Sequence, residues 1–456
     1  MDKTILAIDI GTTNIISIIA QNDFNNKINI LGIGKSISNG INKGTIIDID
    51  QASNSIKDAV DLARSSYDSD IDSTYISISG IHTRGIRSRG SINIPSGHIT
   101  SKEIKQVLSI AHYDAQIVPD YEAIHVIPLY FKVDGNDSIL NPLNMNGSRL
   151  EVEAHIITAK KTAITNIKNA LKKSNLEATN FVLTSYASTI STIDEDNKKL
   201  GVATIDLGGS TSEFSIFKNK SILYNGVVAI GSEHLTNDLS VILRTPLNAA
   251  DEIKKKYASL LPINDDFNKI RKIKVPILGN ESELEERSLE YIQTIVHARV
   301  EEVLSLIQQK MKNSGLYDYV NTVVLTGGMS KIPGIDLLAK QIFKDIPIQL
   351  ANPKNIQNGY INFNDPTLST IVGLLMYGLD KDPFFELDSN KNLRQKQQEV
   401  KPPTKETPIV EEIDKEIQTK ANHKIELEDD SLKNLAIKKE KKSIFFRIWK
   451  KFSEWV

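Results

Sequence analysis

Cysteine is absent from the 456-residue chain, which excludes disulfides and thiolate metal sites and fits a reducing compartment. Tryptophan is scarce: the two residues, Trp449 and Trp455, both lie at the extreme C-terminus. No stretch approaches the roughly 18 apolar residues that a membrane-spanning helix needs. Asp9 breaks the N-terminal apolar run, and no cleavage-type segment follows, so the start does not read as a signal peptide. Charge of either sign hardly dominates; the formal net charge is -2, so no global field draws the chain toward nucleic acid. Eight histidines show no metal-ligand spacing. The cluster His82, Arg84, Arg87 and Arg89 lacks interleaved aromatics and reads as a loop or subdomain interface rather than a nucleic-acid patch. These absences describe a cytosolic chain without transition metal or nucleic acid.

What is present is ordinary for a globular protein, with 40% hydrophobic and 25% charged residues. The length allows two or three domains with sizeable cores. From Met1 to about Leu387, short apolar runs alternate with longer helical patterns, an α/β signature. Residues 388–437 contain no Phe, Tyr or Trp and are dense in Lys, Glu, Asp, Gln and Pro, so they read as a disordered linker. As a coil it would span ~40 Å root-mean-square. Aromatic residues return in the closing stretch "IKKEKKSIFFRIWKKFSEWV" (residues 437–456).

Two segments share one layout. In "AIDIGTTNIISIIA" (7–20) and "GVATIDLGGSTSEFSIF" (201–217), an apolar strand ends in Asp plus one apolar residue, then a Gly- and hydroxyl-rich turn, then another strand. Glycine lets backbone approach a ligand, successive turn N–H groups form an anion-binding nest, and Thr and Ser hydroxyls add donors. One carboxylate beside each turn, Asp9 and Asp206, suits Mg²⁺ held directly or through water. Either turn alone would pass as an ordinary hairpin. Together they fit a duplicated fold that grips nucleotide phosphates from two sides. A third segment, "TVVLTGGMSKIPGI" (322–335), runs a buried strand into Gly327-Gly328 and then a helix. "GIGKS" (32–36) is a poor phosphate loop, because Asn29 stands where its first Gly is required.

The three motifs, in this order, resemble the phosphate-1, phosphate-2 and adenosine motifs of the actin/Hsp70/sugar-kinase superfamily. The insert between the first two narrows the match. "STYISISGIHTRGIRSRGSINIP", "ITSKEIKQVLSIAHYDA", "YEAIHVIPLYFKVDG" and "NPLNMNGSRLEVEAHIIT" (141–158) are similar to the small inserted subdomain of the FtsA family of bacterial cell-division proteins. So are "GINKGTIIDID" (40–50), "HLTNDLSVILRTPLNAADEIKKKYA" (234–258) and "HARVEEVLSLI" (297–307). The resemblance covers about residues 3–380 and the last turns of the chain.

It implies an actin-like duplicated two-domain fold with an inserted small α+β subdomain of SHS2 type, a disordered linker and a C-terminal amphipathic helix. The implied parts are 1–84 and 159–201 (subdomain 1A), 85–158 (1C), 202–231 (2A), 232–310 (2B), 311–387 (2A and the return helix to 1A), the 388–437 linker and the 438–456 helix. ATP and Mg²⁺ are the implied ligands. Gly11, Thr12, Thr13 and Asn14 would meet phosphates from one side, Gly208, Gly209, Ser210 and Thr211 from the other. Asp9 and Asp206 would stand at the metal and its waters; Gly327, Gly328 and Met329 would bound the nucleoside. Asp251 and Lys254, one helical turn apart, match the family's Glu and Lys near the ribose and base. Four departures stand out: Asn14 for a usual Lys, Ser210 and Ser232 for glycines, and Asp251 for Glu. They imply weakened nucleotide affinity or turnover, with hydrolysis weak at best.

Wound as a helix at about 100° per residue, the tail places Ile444, Phe445, Ile448, Trp449, Phe452 and Trp455 within an arc of about 140°. Lys450 and Lys451 fall outside it. From Lys438 onward seven basic and two acidic side chains give a local charge of +5. Such a face flanked by Lys and Arg is the pattern of an interfacial membrane helix on anionic lipid, and it matches the family's membrane-targeting helix. By resemblance the chain tethers filaments of the tubulin-like protein FtsZ, through the FtsZ C-terminal peptide, to the cytoplasmic face of the inner membrane at the septum. It would also self-associate into filaments and meet other division proteins. A pilus-assembly adaptor of the same superfamily, or a sugar-kinase-like enzyme, is the rival reading; neither accounts for the tail.

Overall fold

The computed structural model describes residues 3–22, 27–67, 69–262, 271–354, 356, 363–379 and 385–395. The expected C-terminal helix, residues 438–456, and the expected linker beyond 395 lie outside the described residues. Among the described residues no helix is long and apolar enough to cross a membrane.

Isoleucine-rich strands open the chain, as β-branched side chains favour a pleated, buried surface. Thr4–Ile10 pairs antiparallel with Asn14–Asn22, which pairs with Ile28–Ile37; on its other edge Thr4–Ile10 runs parallel to Ser73–Ile78 and then Asn180–Leu183. The second five-stranded sheet repeats this plan. Val202–Leu207 is antiparallel to Ser212–Lys218, followed by Ser221–Val228, and parallel on its other side to Thr322–Thr326 and Ile348–Leu350. Asp9 and Asp206 are each the penultimate residue of the equivalent strand, so the duplication read from the two turns is a duplication of whole sheets. "GIGKS" lies inside the Ile28–Ile37 strand and forms no loop.

Two helices, Thr184–Thr192 and Ser369–Gly378, pack on each other; the first lies against the second sheet and the second against the first. All of Ser369–Gly378 is buried, as expected of a helix apolar on every side. A Cβ on Gly373 would stand 1.8 Å from the Ala187 carbonyl oxygen, so only glycine lets these backbones meet.

The insert carries the strands Thr83–Asn93, Tyr121–Val133, Asn136–Ile139 and Arg149–Lys160 and the helix Ser101–Tyr113, and has its own apolar core. Arg87 and Arg89 pair with Glu153 on the neighbouring strand, and Arg84 lies over the Tyr121 ring. A polar seam joins the insert to the second half: Ser221 Oγ donates to the Pro128 carbonyl at 2.5 Å, and buried His155 Nε2 bonds Asn225 Oδ1 at 3.1 Å. The described residues between 232 and 313 include the helices Ser232–Leu243, Leu247–Tyr257 and Leu289–Asn313 and a hairpin, Lys272–Ile277 and Asn280–Ser288.

One boundary is corrected. The linker was expected to begin at 388, yet Phe385–Leu387 and Leu393–Gln395 form a hairpin that extends the insert's sheet beside Tyr121–Val133. Composition misleads there because the polar residues are paired inside the protein. Glu386, fully buried, accepts from Tyr377 Oη at 2.7 Å and from His125 Nδ1 at 2.5 Å. The Leu183 N–H occupies His125 Nε2, which assigns the proton to Nδ1. Arg394 lies 3.6 Å from the Tyr377 ring centroid and donates to the Tyr377 carbonyl. Buried groups so bonded escape the desolvation penalty that drives polar chain into water.

Overpacking a core costs about 1–3 kcal/mol, and backbone is the obstacle at Gly373. Gly373→Ala should therefore lower the urea midpoint markedly; an unchanged midpoint would mean that the helices have slack. A pH dependence follows from His155. Burial, with Arg87 and His125 nearby, pushes its pKa from 6.5 to about 4, against the Asn225 hydrogen bond. Its stabilising contribution is complete above pH 6.5 and is lost as pH falls toward 4, because only the unfolded chain takes the proton there. His155→Gln should flatten the Tm-versus-pH curve between pH 6.5 and 4.5; an identical slope would remove His155 from the acid response.

Candidate functional site

The two Gly- and hydroxyl-rich turns meet. The Ser210 N–H donates to Thr12 Oγ1 at 3.2 Å, across the division between the two sheets. A Cβ on Gly209 would stand 2.4 Å from Thr13 Oγ1 and 2.8 Å from Thr12 Oγ1. The second turn is closed by Gly208 N–H on the Thr211 carbonyl at 3.0 Å. It is held from outside by the start of the Ser232–Leu243 helix: the Ser232 and Glu233 amides donate to the Gly208 and Gly209 carbonyls at 3.0 and 2.8 Å. Asn14 opens the second strand of its hairpin, half-buried, and adds no charge beside the first turn.

Behind the turns stand carboxylates. Asp9 is pushed from 3.8 up to about 7, chiefly by burial, with a Ser77 hydrogen bond opposing and the Asp206 charge adding. Asp206 is pushed up to about 6 by burial, opposed by bonds from Ser188 and Thr370; the Thr370 hydroxyl donates to its Oδ2 at 3.2 Å. Gly327, at φ 85°, packs against this strand so tightly that a Cβ would lie 2.4 Å from Asp206 Oδ1. Glycine there serves the contact with the second phosphate-type strand, whereas a Cβ on Gly328 would clear its nearest neighbour at 3.6 Å. The Met329 side chain is buried in the second core, so only its backbone can face a ligand. Asp251 and Lys254 pair at 2.7 Å, and Lys254 also reaches Thr236 Oγ1 at 2.8 Å, one turn along from Ser232.

Two residues escaped the sequence reading. Glu213 sits directly opposite Asp206 in the hairpin register. Its Oε1 accepts from Ser79 Oγ at 2.7 Å and the Gly80 N–H at 2.9 Å, fastening the second sheet to the entrance of the insert. Burial pushes its carboxyl up to about 7. A lone acid directly before the strand residues "FSIF" (214–217) was the available signal. Glu233 is the other: its carboxylate bonds Thr13 Oγ1 at 3.3 Å and Ser210 Oγ at 2.6 Å, between the turns.

Hydroxyls and two acids offer hard oxygen atoms and the turn amides offer hydrogen bonds, a combination suited to a polyphosphate with Mg²⁺. Among the described residues no group of three or more His, Cys, Asp and Glu has metal-holding geometry, so a metal here would draw remaining ligands from water or phosphate. Raised carboxyl pKa values in an acid pair fit that reading, since a cation beside them favours ionisation.

A duplicated α/β architecture with facing turns and an inserted subdomain defines an actin-like fold. Solved structures agree: a PilM–PilN type IV pilus biogenesis complex chain has a TM-score of 0.57 at 13% identity, covering 83% of this chain and 98% of that one. MreB5 of Spiroplasma citri bound to ADP has a TM-score of 0.51 at 13% identity, covering 82% and 96%. Residues 203–373 match the family "Cell division protein FtsA", and residues 80–158 match "SHS2 domain inserted in FTSA". Cell division protein FtsA of Pseudomonas aeruginosa is 33% identical over 380 residues, 83% of this chain and 90% of the relative. That of Borreliella burgdorferi is 32% identical over 387 residues, 84% and 92%; that of Bacillus subtilis is 29% identical over 374, 82% of each. The chain belongs to the FtsA family of cell-division proteins.

Because Gly209 faces Thr12 and Thr13, Gly209→Val should fill the space between the turns and abolish ATP binding in a folded protein. Isothermal titration with unchanged affinity would remove the second turn from the site.

Proposed function

We propose that this cell-division protein binds ATP with Mg²⁺ and tethers FtsZ filaments to the cytoplasmic face of the inner membrane at the septum. The observation that carries the ATP reading is the Ser210 N–H on Thr12 Oγ1 at 3.2 Å, which sets two anion-binding turns face to face. In this reading Gly11, Thr12 and Thr13 and the 208–211 turn hold the phosphates. Asp9 and Asp206 hold the metal through water, and Asp251 with Lys254 lies toward the ribose and base. Bound metal would offset phosphate charge, a task for which Asn14 supplies no cation. The nucleotide acts as a structural ligand that ties the two halves together, and hydrolysis is weak at best.

The partner assignments follow family membership and the tail. Subdomain 2B, residues 232–310, receives the FtsZ C-terminal peptide; 1A, 2A and the insert 1C build actin-like filaments; other division proteins join there. The basic, Trp- and Phe-faced segment 438–456 lies on anionic lipid, with the chain beyond Gln395 as its leash. A pilus-assembly adaptor or a sugar-kinase-like enzyme is not favoured, since the relatives that match over most of the chain are cell-division proteins.

Co-sedimentation with anionic liposomes, with and without FtsZ, tests the tether. Burying one aromatic ring is worth roughly 1.5–3 kcal/mol, and about 1.4 kcal/mol is a factor of ten. Phe452→Glu, which also meets anionic lipid with a like charge, should lower the bound fraction at least tenfold, while Glu454→Lys on the opposite face leaves it equal or higher. Phe452→Glu pelleting like the parent would exclude the helix as anchor.

A further inference from the structure

Glu233 is held in an unusual place for an acid. Its backbone is fixed to the second turn, through the 2.8 Å bond from its amide to the Gly209 carbonyl. Its side chain reaches over to the first turn, taking the Thr13 hydroxyl at 3.3 Å with Oε1 and the Ser210 hydroxyl at 2.6 Å with Oε2. The place reserved for a Cβ on Gly209 is 3.4 Å from Glu233 Oε1 and 2.4 Å from Thr13 Oγ1, so all three border one small space. Ser210 is almost fully buried, which points its hydroxyl at this carboxylate rather than at water.

These hydroxyls are the donors that a phosphate entering between the turns would need. A carboxylate and a phosphate are both anionic acceptors; they cannot share one hydroxyl proton, and they repel at such range. We propose that Glu233 sets the affinity of the nucleotide site by competing with phosphate for the hydroxyls of Thr13 and Ser210. The inference rests on the ATP-binding reading above. The carboxylate bridges the two turns through these hydroxyls, and nucleotide enters as the side chain swings out. Ser210 makes half of the bridge, at a position where the resemblance leads one to expect a glycine without a hydroxyl. A weak site therefore comes from an added competitor as well as from the cation missing at Asn14.

Isothermal titration of the full chain with ATP and with adenosine, in EDTA and in Mg²⁺, decides the matter. Glu233→Gln and Glu233→Ala should bind ATP about tenfold more tightly than the parent, with adenosine affinity unchanged because it lacks phosphate. Ser210→Gly should tighten ATP binding less, and adding it to Glu233→Ala should gain nothing more. Equal or weaker ATP binding by both Glu233 variants, beside a parent that binds ATP, overturns the proposal and leaves the ATP site standing. Weakening confined to Mg²⁺ also overturns it, by making Glu233 a metal-side ligand. Equal tightening for ATP and adenosine overturns it in favour of general loosening. No ATP binding by the folded parent or any variant overturns the ATP reading and this inference together. Circular dichroism confirms folding, and Glu233→Gln, nearly isosteric, carries the test should Glu233→Ala unfold.

Discussion

The backbone contact between Gly373 and Ala187 is the constraint on which the rest of the molecule depends. Two largely buried helices, one backing each sheet, touch so closely at Gly373 and Ala187 that no side chain fits between them there. Their crossing sets where the two duplicated sheets stand. Only in that arrangement do turns separated by about two hundred residues reach hydrogen-bonding distance. A contact of dispersion and shape, without charge, thus positions a polar site. Core packing tolerates little displacement, so the turns inherit the precision of the helices behind them.

Polar groups around that contact are placed with the same economy of space. Asp9, Asp206 and Glu213 would each prefer water, and burial raises all three toward neutrality. Serine and threonine hydroxyls from neighbouring elements compensate: Ser77 for Asp9, Thr370 for Asp206, Ser79 for Glu213. Glu233 differs, because its hydroxyl partners belong to the turns themselves. An acid supported by scaffold can stay when a ligand arrives, whereas an acid supported by the ligand's own donors cannot. The first three belong to the frame; Glu233 belongs to the occupancy of the site.

The insert shows a further dependence. Its sheet is completed by chain from the far end of the described protein, residues 385–395, through Glu386 and its buried partners His125 and Tyr377. Tyr377 closes one of the central helices, so the crossing of the helices and the edge of the insert share a residue. The hairpin of Phe385–Leu387 and Leu393–Gln395 is therefore built into the packing of the body, rather than attached to its surface.

By itself the sequence determined the α/β class, the duplicated hairpins with Asp9 and Asp206, the strand-to-helix glycine motif and the family. These are legible because period, turn chemistry and short motifs are local, and a local pattern survives in one dimension. Tertiary structure alone decided what depends on partners distant in the chain. Residues 388–395 read as solvated linker from composition, yet fold because Arg394 finds a buried partner in Tyr377 and the strand it pairs with carries the buried Glu386. Gly327 reads as a nucleoside platform, yet its lack of a side chain is needed against Asp206. Glu233 carries no signal in its own stretch of sequence, and only the meeting of two turns gives its carboxylate two hydroxyls to hold. Which polar group finds which partner is a matter of three-dimensional proximity, and proximity across two hundred residues leaves no mark on any short stretch of sequence.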